Sequence, residues 1–310
     1  MSSDKFLTVF TPTFNRAHTL RRLYESLCAQ TCKDFEWLVI DDGSTDGTCS
    51  LVESFLSDGR ISVRYIVKEN GGLYTGYNTA YANIGTELNV CVDSDDFMPD
   101  NAVELIVKTW RERGTDRYAG IIGLDFYAGT DRPIAGYFPE KMTECYYLDL
   151  YIKRIHRGDS KQVMRTDLMK RVTPQIGFDG EKNFNPVYML LQVCDEYPLL
   201  VLNENLCYVD YQNGDSMSGA IFRQYADSPR SFAKQRLLEM SLRRSTFMNN
   251  VRLMVHYIAS SFLARDKDWL KRTPHKLLAM VCFAPGFLFY RYILYKNVVS
   301  YDRADSGSRR

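Results

Sequence analysis

Apolar positions along the first 120 residues follow two alternating periods. "KFLTVFT" is a continuous apolar run of strand length, and Leu20, Leu23, Tyr24 and Leu27 then recur at helical spacing, which predicts a helix over about 17–30. "FEWLVIDD" is a second run, and "GSTDGT" after it offers Ser44, Thr45 or Asp46 to cap a helix reaching about Leu56. "ISVRYIV" with "LYTGYNTAYANI", and "ELNVCVD" with "MPDNAVELIVKTW", repeat the pair twice more. Strand and helix alternating at this spacing predict right-handed crossovers and a parallel sheet.

Beyond about Gly123 the alternation gives way to loops, aromatic residues and short strands, the last of them in "YPLLVLNENLCYVDY". From about Pro229 the pattern is helical to Leu263. The segment "HKLLAMVCFAPGFLFYRYILYKN" contains an uncharged stretch of about 14 residues, interrupted at Pro285-Gly286 and short of the ~20 that span a bilayer. The polar ending "DRADSGSRR" has the composition of a disordered tail.

Parallel sheets bind ligands beyond the carboxyl ends of their strands. That rule places Thr11, Asp41, Asp42, Asn70, Asp93, Asp95 and Asp96 along one rim. The stretch "NVCVDSDDFMPDN" puts three aspartates into four positions, and carboxylates so close repel unless a cation lies between them.

Apolar residues at 45% and charged ones at 25% describe a globular chain with a sizeable core. The net charge of +1 hides an asymmetry: residues 221–310 carry 17 Lys/Arg against 6 Asp/Glu, and the first 220 carry 22 against 32. We therefore divide the chain into an acidic domain, 1–220, and a basic, mostly helical region, 221–310. The opening "MSSDKFLTVFTPTF" reads as no secretory leader. The eight cysteines lack the spacing of a zinc site or a disulfide framework, so reduced thiols in a cytoplasmic protein are expected.

Four stretches resemble the family 2 inverting glycosyltransferases of the GT-A fold: "TPTFNRAHTL", "SLCAQTCKDFEWLVIDDGSTDGT", "ENGGLYTGYNTA" and "VDSDDFMPD", in the family's order and spacing. "GDSKQVMRTDLMKR…GFDGEKNF" is similar to the acceptor-side region of bacterial members. The resemblance covers about residues 5–215. It implies an α/β fold with a Rossmann-like, mostly parallel central sheet and flanking helices, followed by a C-terminal helical segment. It also implies transfer of one sugar from a nucleotide-diphosphate donor, by default a UDP-sugar, to a saccharide or lipid-linked acceptor.

On that resemblance Asp93-Ser94-Asp95 is the DxD element. Asp95, Asp93 and Asp96 form the metal corner, with Asp96 as a supporting group, and hard carboxylate oxygens suit Mn²⁺ or Mg²⁺. Thr11, Pro12, Thr13, Asn15, Arg16, Asp41, Asp42, Asn70, Gly71, Gly72, Asn78, Asp93, Ser94 and Arg165 are implied donor contacts. Leu73 and Tyr74 stand where many members carry a cation and then a His, so that cationic contact is either missing or supplied elsewhere, for example by Arg16 or Arg165. Inversion needs a base for the acceptor hydroxyl. Glu181 in "FDGEKNFNP" is the first choice, and Asp179 the alternative. No Q-x-x-R-W element accompanies the tryptophans, which points to a non-processive enzyme of bacterial polysaccharide or glycolipid biosynthesis.

Two other classes deserve comparison. A non-catalytic GT-A-like protein, binding sugar or acting as a membrane scaffold, would tolerate the loss of the cation at Leu73-Tyr74. A haloacid-dehalogenase-type phosphohydrolase would place its DxD near the N-terminus rather than after three strands. Basic residues flanking the apolar C-terminal segment suggest peripheral attachment to an anionic membrane surface, the cytoplasmic face of the cell membrane. Packing on the enzyme or in a homo-oligomer is the competing use of this region, and nothing in the chain suggests nucleic acid as a partner.

Overall fold

The computed structural model describes residues 5–156, 158–210 and 221–307, with side chains through 297. Two compact units emerge from the contacts, one of residues 1–175 and 189–211, the other of 176–188 and 212–310. Segment 176–188 thus clusters with the C-terminal helices. The division read at 220/221 adjoins residues 211–220, which lie outside the described residues.

The first unit is built on β1 (Leu7–Thr13), β2 (Phe35–Asp41), β3 (Val63–Val67) and β4 (Leu88–Cys91), joined by helices α1 (Ala17–Ala29), α2 (Thr48–Asp58) and α3 (Leu73–Asn83). All four strands are parallel, in the order β3-β2-β1-β4. Every residue of β1 and β2 is buried, which is why both read as unbroken apolar runs. The α1 positions picked out by their spacing, Leu20, Leu23, Tyr24 and Leu27, are all buried. Tyr24 stacks on Phe55 with ring centroids 4.0 Å apart, locking α1 to α2.

Beyond α4 (Ala102–Arg113) come β5 (Gly120–Tyr127), β6 (Glu144–Cys145), α5 (Tyr147–Ile152), β7 (Ser160–Arg165), α6 (Thr166–Arg171), α7 (Val187–Cys194) and β8 (Leu199–Val209). The sheet continues β4-β7-β5-β8-β6. β7 runs antiparallel between β4 and β5, whereas β5 and β8 are parallel. With its edges included the sheet is mostly parallel, as expected. "SKQVMR" gives little strand signal because Ser160 and Lys161 are polar yet buried. That pair escaped the hydrophobic pattern.

The second unit holds α8 (Ile221–Asp227), α9 (Pro229–Ser241), α10 (Phe247–Leu263), α11 (Trp269–Arg272), α12 (Lys276–Val281) and α13 (Phe283–Gly307). The helical pattern from Pro229 is two helices rather than one, the second capped by Thr246, whose hydroxyl accepts from Asn249 N. Met240, Leu253, Met254, Tyr257, Ile258, Ala279 and Cys282 form its core.

Two expectations for the C-terminal segment are corrected. The interruption falls at Cys282, not at Pro285-Gly286, because Pro285 lies in the first turn of α13, where no backbone donor is needed. Gly286 faces α10 so closely that a Cβ would come within 2.7 Å of Ile258. The polar ending continues the helix to Gly307, and residues 308–310 lie outside the described residues.

Candidate functional site

The carboxyl ends of the parallel strands bring most of the expected residues to one rim. β1 delivers Thr13, and the loop after it holds Asn15 at φ 54°, a left-handed conformation that asparagine tolerates. The Asn15 side-chain oxygen accepts from Thr45 N at 2.8 Å and Asp46 N at 3.3 Å, and the Asn15 backbone N–H donates to Ser44 Oγ. Arg16 N donates to Thr48 Oγ1. The two loops are therefore sewn together by Asn15 and by the start of α2. Asp46, offered as a cap, accepts from Thr48 N at 3.0 Å. Thr11 is internal: its hydroxyl donates to Val92 O and accepts from Trp37 Nε1. Pro12 sits against Gly76 of α3, where a Cβ would approach within 3.1 Å. The Thr13 hydroxyl is buried and bonds to no described group.

Asp41 and Asp42 end β2 and are both buried. Asp41 accepts from Ser44 N at 2.8 Å and from Tyr65 OH at 2.6 Å. Asp42 accepts from Lys68 Nζ, Gly71 N at 3.0 Å and Gly72 N at 2.8 Å, while its carbonyl takes Asn70 Nδ2. Gly72 has φ 90°, available to glycine at little cost. The "NGG" turn thus wraps the Asp42 carboxylate. Lys68, which also donates to Thr75 Oγ1, places a cation at this rim that the sequence reading did not find. The lysine directly before "ENGG", at the end of a strand, was the available signal.

The third corner is Asp93 to Asp96, just past β4. The Asp95 carbonyl accepts from Arg22 Nη2, and among the described residues no group bonds the Asp95 carboxylate. Asp93 keeps contact with solvent at the rim. Desolvation raises its pKa, Lys161 opposes the rise, and Asp95 and Asp159 add to it. Ser94 is buried. Asp96 turns inward, its Oδ2 4.0 Å from Lys161 Nζ and 4.0 Å from Cys207 Sγ.

Lys161 is itself buried and lies 3.8 Å from Asp125 Oδ1, at the far end of β5. Desolvation pushes Asp96 up to about 7 and Asp125 up to about 6, with Lys161 holding both below where burial alone would leave them. Burial would lower the Lys161 pKa, but the surrounding acids, Asp125 foremost, raise it well above its ordinary value. One buried ammonium therefore stands behind an excess of carboxylates. Asp125 was missed because the run "GIIGLDFY" fell where the alternation had been read as ending.

Besides Thr11, which is internal, Arg165 and Asn78 are not brought to this rim. Arg165 pairs in register with Leu88, at the opposite end of β4 from Asp93, and its guanidinium is held by Asp167 at 2.9 Å. The Asn78 amide is bonded at both atoms to the Gln175 backbone. A cleft of about 520 Å³ lined by Arg113, Tyr118, Glu140, Leu200 and Asn203 also lies elsewhere, where β5 and β8 begin.

In the second unit, Glu181 is buried and its carboxylate closes the first turn of α9. Oε1 accepts from Arg230 N at 3.0 Å and Arg230 Nε at 2.9 Å, and Oε2 accepts from Ser231 N at 2.7 Å. Asp179 is exposed, its carbonyl takes Arg230 Nη2, and its carboxylate bonds to no described group. Among the described residues no three His, Cys, Asp or Glu form a ready-made metal cluster. Asp95 and Asp93 nevertheless fit a hard divalent cation that takes its remaining oxygens from a bound diphosphate.

The model of "Glycosyl transferase family 2" matches residues 8–171, more than half of the chain. The chain belongs to glycosyltransferase family 2. Within this family the chain is similar to the glycosyltransferase GlyA of Streptococcus pneumoniae, 31% identical over 151 residues that make up 49% of this chain and 21% of GlyA. The match spans about a fifth of the length of GlyA, of an uncharacterized glycosyltransferase of Rickettsia felis and of the chondroitin synthase of Escherichia coli. S. aureus TarS residues 1–349, solved with UDP-GlcNAc, superposes with a TM-score of 0.58 at 18% identity over 89% of this chain and 79% of TarS. The mannosyltransferase PcManGT of Pyrobaculum calidifontis, solved with GDP-Man and Mn²⁺, gives 0.53 at 14% identity, over 92% of this chain and 89% of that one. The family 2 member described here shares the GT-A fold with both. The matched span holds the whole Asp93–Asp96 corner and stops short of Asp179 and Glu181.

Proposed function

We propose that this family 2 chain transfers one sugar, with inversion, from a nucleotide-diphosphate donor to a saccharide or lipid-linked acceptor. UDP is the default nucleotide, since TarS was solved with UDP-GlcNAc. The observation that carries the reading is the Asp95 carboxylate, which has no bonding partner among the described residues and lies just past β4, at the carboxyl ends of the parallel strands, close to Asp93. Asp95 and Asp93 hold Mn²⁺ or Mg²⁺. When bound, that cation neutralises charge on the departing diphosphate. Asp96 stays behind the pair, fixed by Lys161. The hydrogen bonds of Asn15, Asp41 and Asp42 fix the turns that face the donor, and Lys68 rather than Arg165 is the cation at that rim.

The proton of the acceptor hydroxyl passes to a carboxylate as the new C1–O bond forms and the C1–O bond to phosphate breaks, its electron pair leaving with the diphosphate. We assign that role to Asp179 in place of Glu181. The Glu181 carboxylate already accepts three hydrogen bonds at the head of α9, whereas that of Asp179 is open to solvent. The experiment is a nucleotide-release assay over a panel of UDP-sugars with Mn²⁺ and an oligosaccharide or lipid-linked acceptor mixture. Acceptor-stimulated UDP release supports transfer, and its absence with every donor removes it. A binding protein without turnover is the second reading, favoured by Leu73-Tyr74 and the occupied Glu181; it predicts UDP-sugar binding with no release.

A further inference from the structure

The exposed face of the consecutive helices α12 and α13 reverses the usual order of a surface helix. On α13 the buried positions are Gly286 and Ile293, and the exposed stripe runs Ala284, Phe287, Leu288, Arg291, Tyr292, Tyr295. On α12 it is Leu277, Met280 and Val281. Leu277 is 76% exposed, Val281 78%, Leu288 68% and Tyr295 63%, values that belong to polar side chains on an ordinary helix. From Ala284 to Tyr295 the stripe is about 17 Å long at the helical rise. Large contiguous apolar surface of this kind marks an interaction site.

Charge decides what covers it. Between Trp269 and Tyr301 the sequence has five Lys/Arg and no Asp or Glu. Lys271 and Arg272 are paired with Asp268 and Asp266, which leaves Lys276 and Arg291 on α12 and α13 with no ion pair among the described residues. Lys296 lies over the Tyr292 ring at 5.5 Å, an arrangement that keeps its alkyl stem along apolar surface. Asp302 and Asp305 come only after this stretch, at the end of α13. A second copy docked by a twofold axis through Lys276 and Arg291 would oppose like charges. An anionic bilayer offers both complements, hydrocarbon for the stripe and phosphate for the cations. No helix among the described residues is long and apolar enough to cross a membrane, so the contact is an interfacial one.

We propose that Leu277, Met280, Val281, Phe287, Leu288 and Tyr295 dip into the headgroup boundary of an anionic membrane, with Lys276 and Arg291 at the phosphate level. This goes beyond the transferase reading and stands without it. The test is vesicle flotation of the full chain with phosphatidylcholine alone and with phosphatidylglycerol added. The chain should float with the anionic vesicles, and Lys276→Gln with Arg291→Gln should weaken that binding roughly thirtyfold, the product of two surface charges. Leu277→Ser, Val281→Ser and Leu288→Ser together should weaken it roughly a hundredfold through lost apolar burial. All three sites are exposed, so the melting temperature and UDP binding should stay as in the wild type. Wild-type chain that fails to float with anionic vesicles overturns the proposal. So does a triple serine variant that floats as well as the wild type, or a dimer in light scattering that this variant splits, which would assign the face to a second copy.

Discussion

Glu181→Gln separates a structural carboxylate from a catalytic one. Glu181 accepts the N–H groups of Arg230 and Ser231 at the start of α9 and pairs with the Arg230 guanidinium. Glutamine keeps one oxygen acceptor and turns an NH₂ donor toward the other donors. Losing a helix-capping acceptor costs about 0.5–2 kcal/mol. The negative charge at a partly buried helix N-terminus contributes up to ~2 kcal/mol. The Arg230 side chain is half-exposed, so its ion pair adds at most about 1 kcal/mol. These overlap, and the expected loss is roughly 2–3 kcal/mol, since all three act through one carboxylate. Urea unfolding at pH 7.5 reads it directly, with transfer assayed on the same preparation at a temperature where the variant is folded. A structural Glu181 predicts that stability loss with kcat reduced less than about tenfold, whereas loss of a general base costs roughly 10²–10⁴ in rate. A variant as stable as the wild type and a hundredfold slower would refute the assignment.

Asp179→Asn should show the converse, unchanged urea midpoint and kcat down roughly 10²–10⁴, with UDP binding intact. Lys161→Met removes the ammonium shared by Asp96 and Asp125, and breaking such a buried pair should cost about 3–5 kcal/mol, read by denaturation; a loss below ~1 kcal/mol would contradict the charge-balancing role. The Asp125 carboxyl is raised in the folded chain, so its contribution is present below the unfolded pKa and is lost as pH rises through about 6. That shift amounts to about 3 kcal/mol, and Asp125→Asn should flatten the fall in stability between pH 4.5 and 7.5 relative to wild type. Gly286→Val should destabilise the second unit by at least about 2 kcal/mol, since even a Cβ meets Ile258 and the backbones of α10 and α13 would have to part; a neutral effect would show that the packing yields there.

The alternating first half was legible because parallel strands covered on both faces leave unbroken apolar runs. The rim could be read too, since Asp41, Asp42 and Asp93 follow the last apolar residue of their strands. Legibility ended where polarity and burial part company. β7 carries Ser160 and Lys161 into the sheet, and only the acids at Asp96 and Asp125, distant in sequence, explain why a lysine can be buried there. Lys68 was overlooked because its partner Asp42 lies 26 residues earlier. The spacing in "FDGEKNF" does not distinguish Asp179 from Glu181, since the contact that occupies the Glu181 carboxylate, the head of α9, lies 49 residues downstream. At the C-terminus, Pro285 looked like a break because a sequence does not say which turn of a helix a proline occupies.

In the proposed donor site, Asp95 and Asp93 would hold a divalent cation together with a nucleotide diphosphate. Calorimetric titration of UDP into the full chain, once with Mn²⁺ and once with a chelator, measures it most directly. The account predicts tight binding with Mn²⁺, at least about tenfold weaker binding with the chelator, and no metal dependence in Asp95→Asn, as expected when a ligand oxygen is removed. Equal UDP affinity with and without the metal, or an Asp95→Asn variant that keeps the full metal dependence, would contradict it.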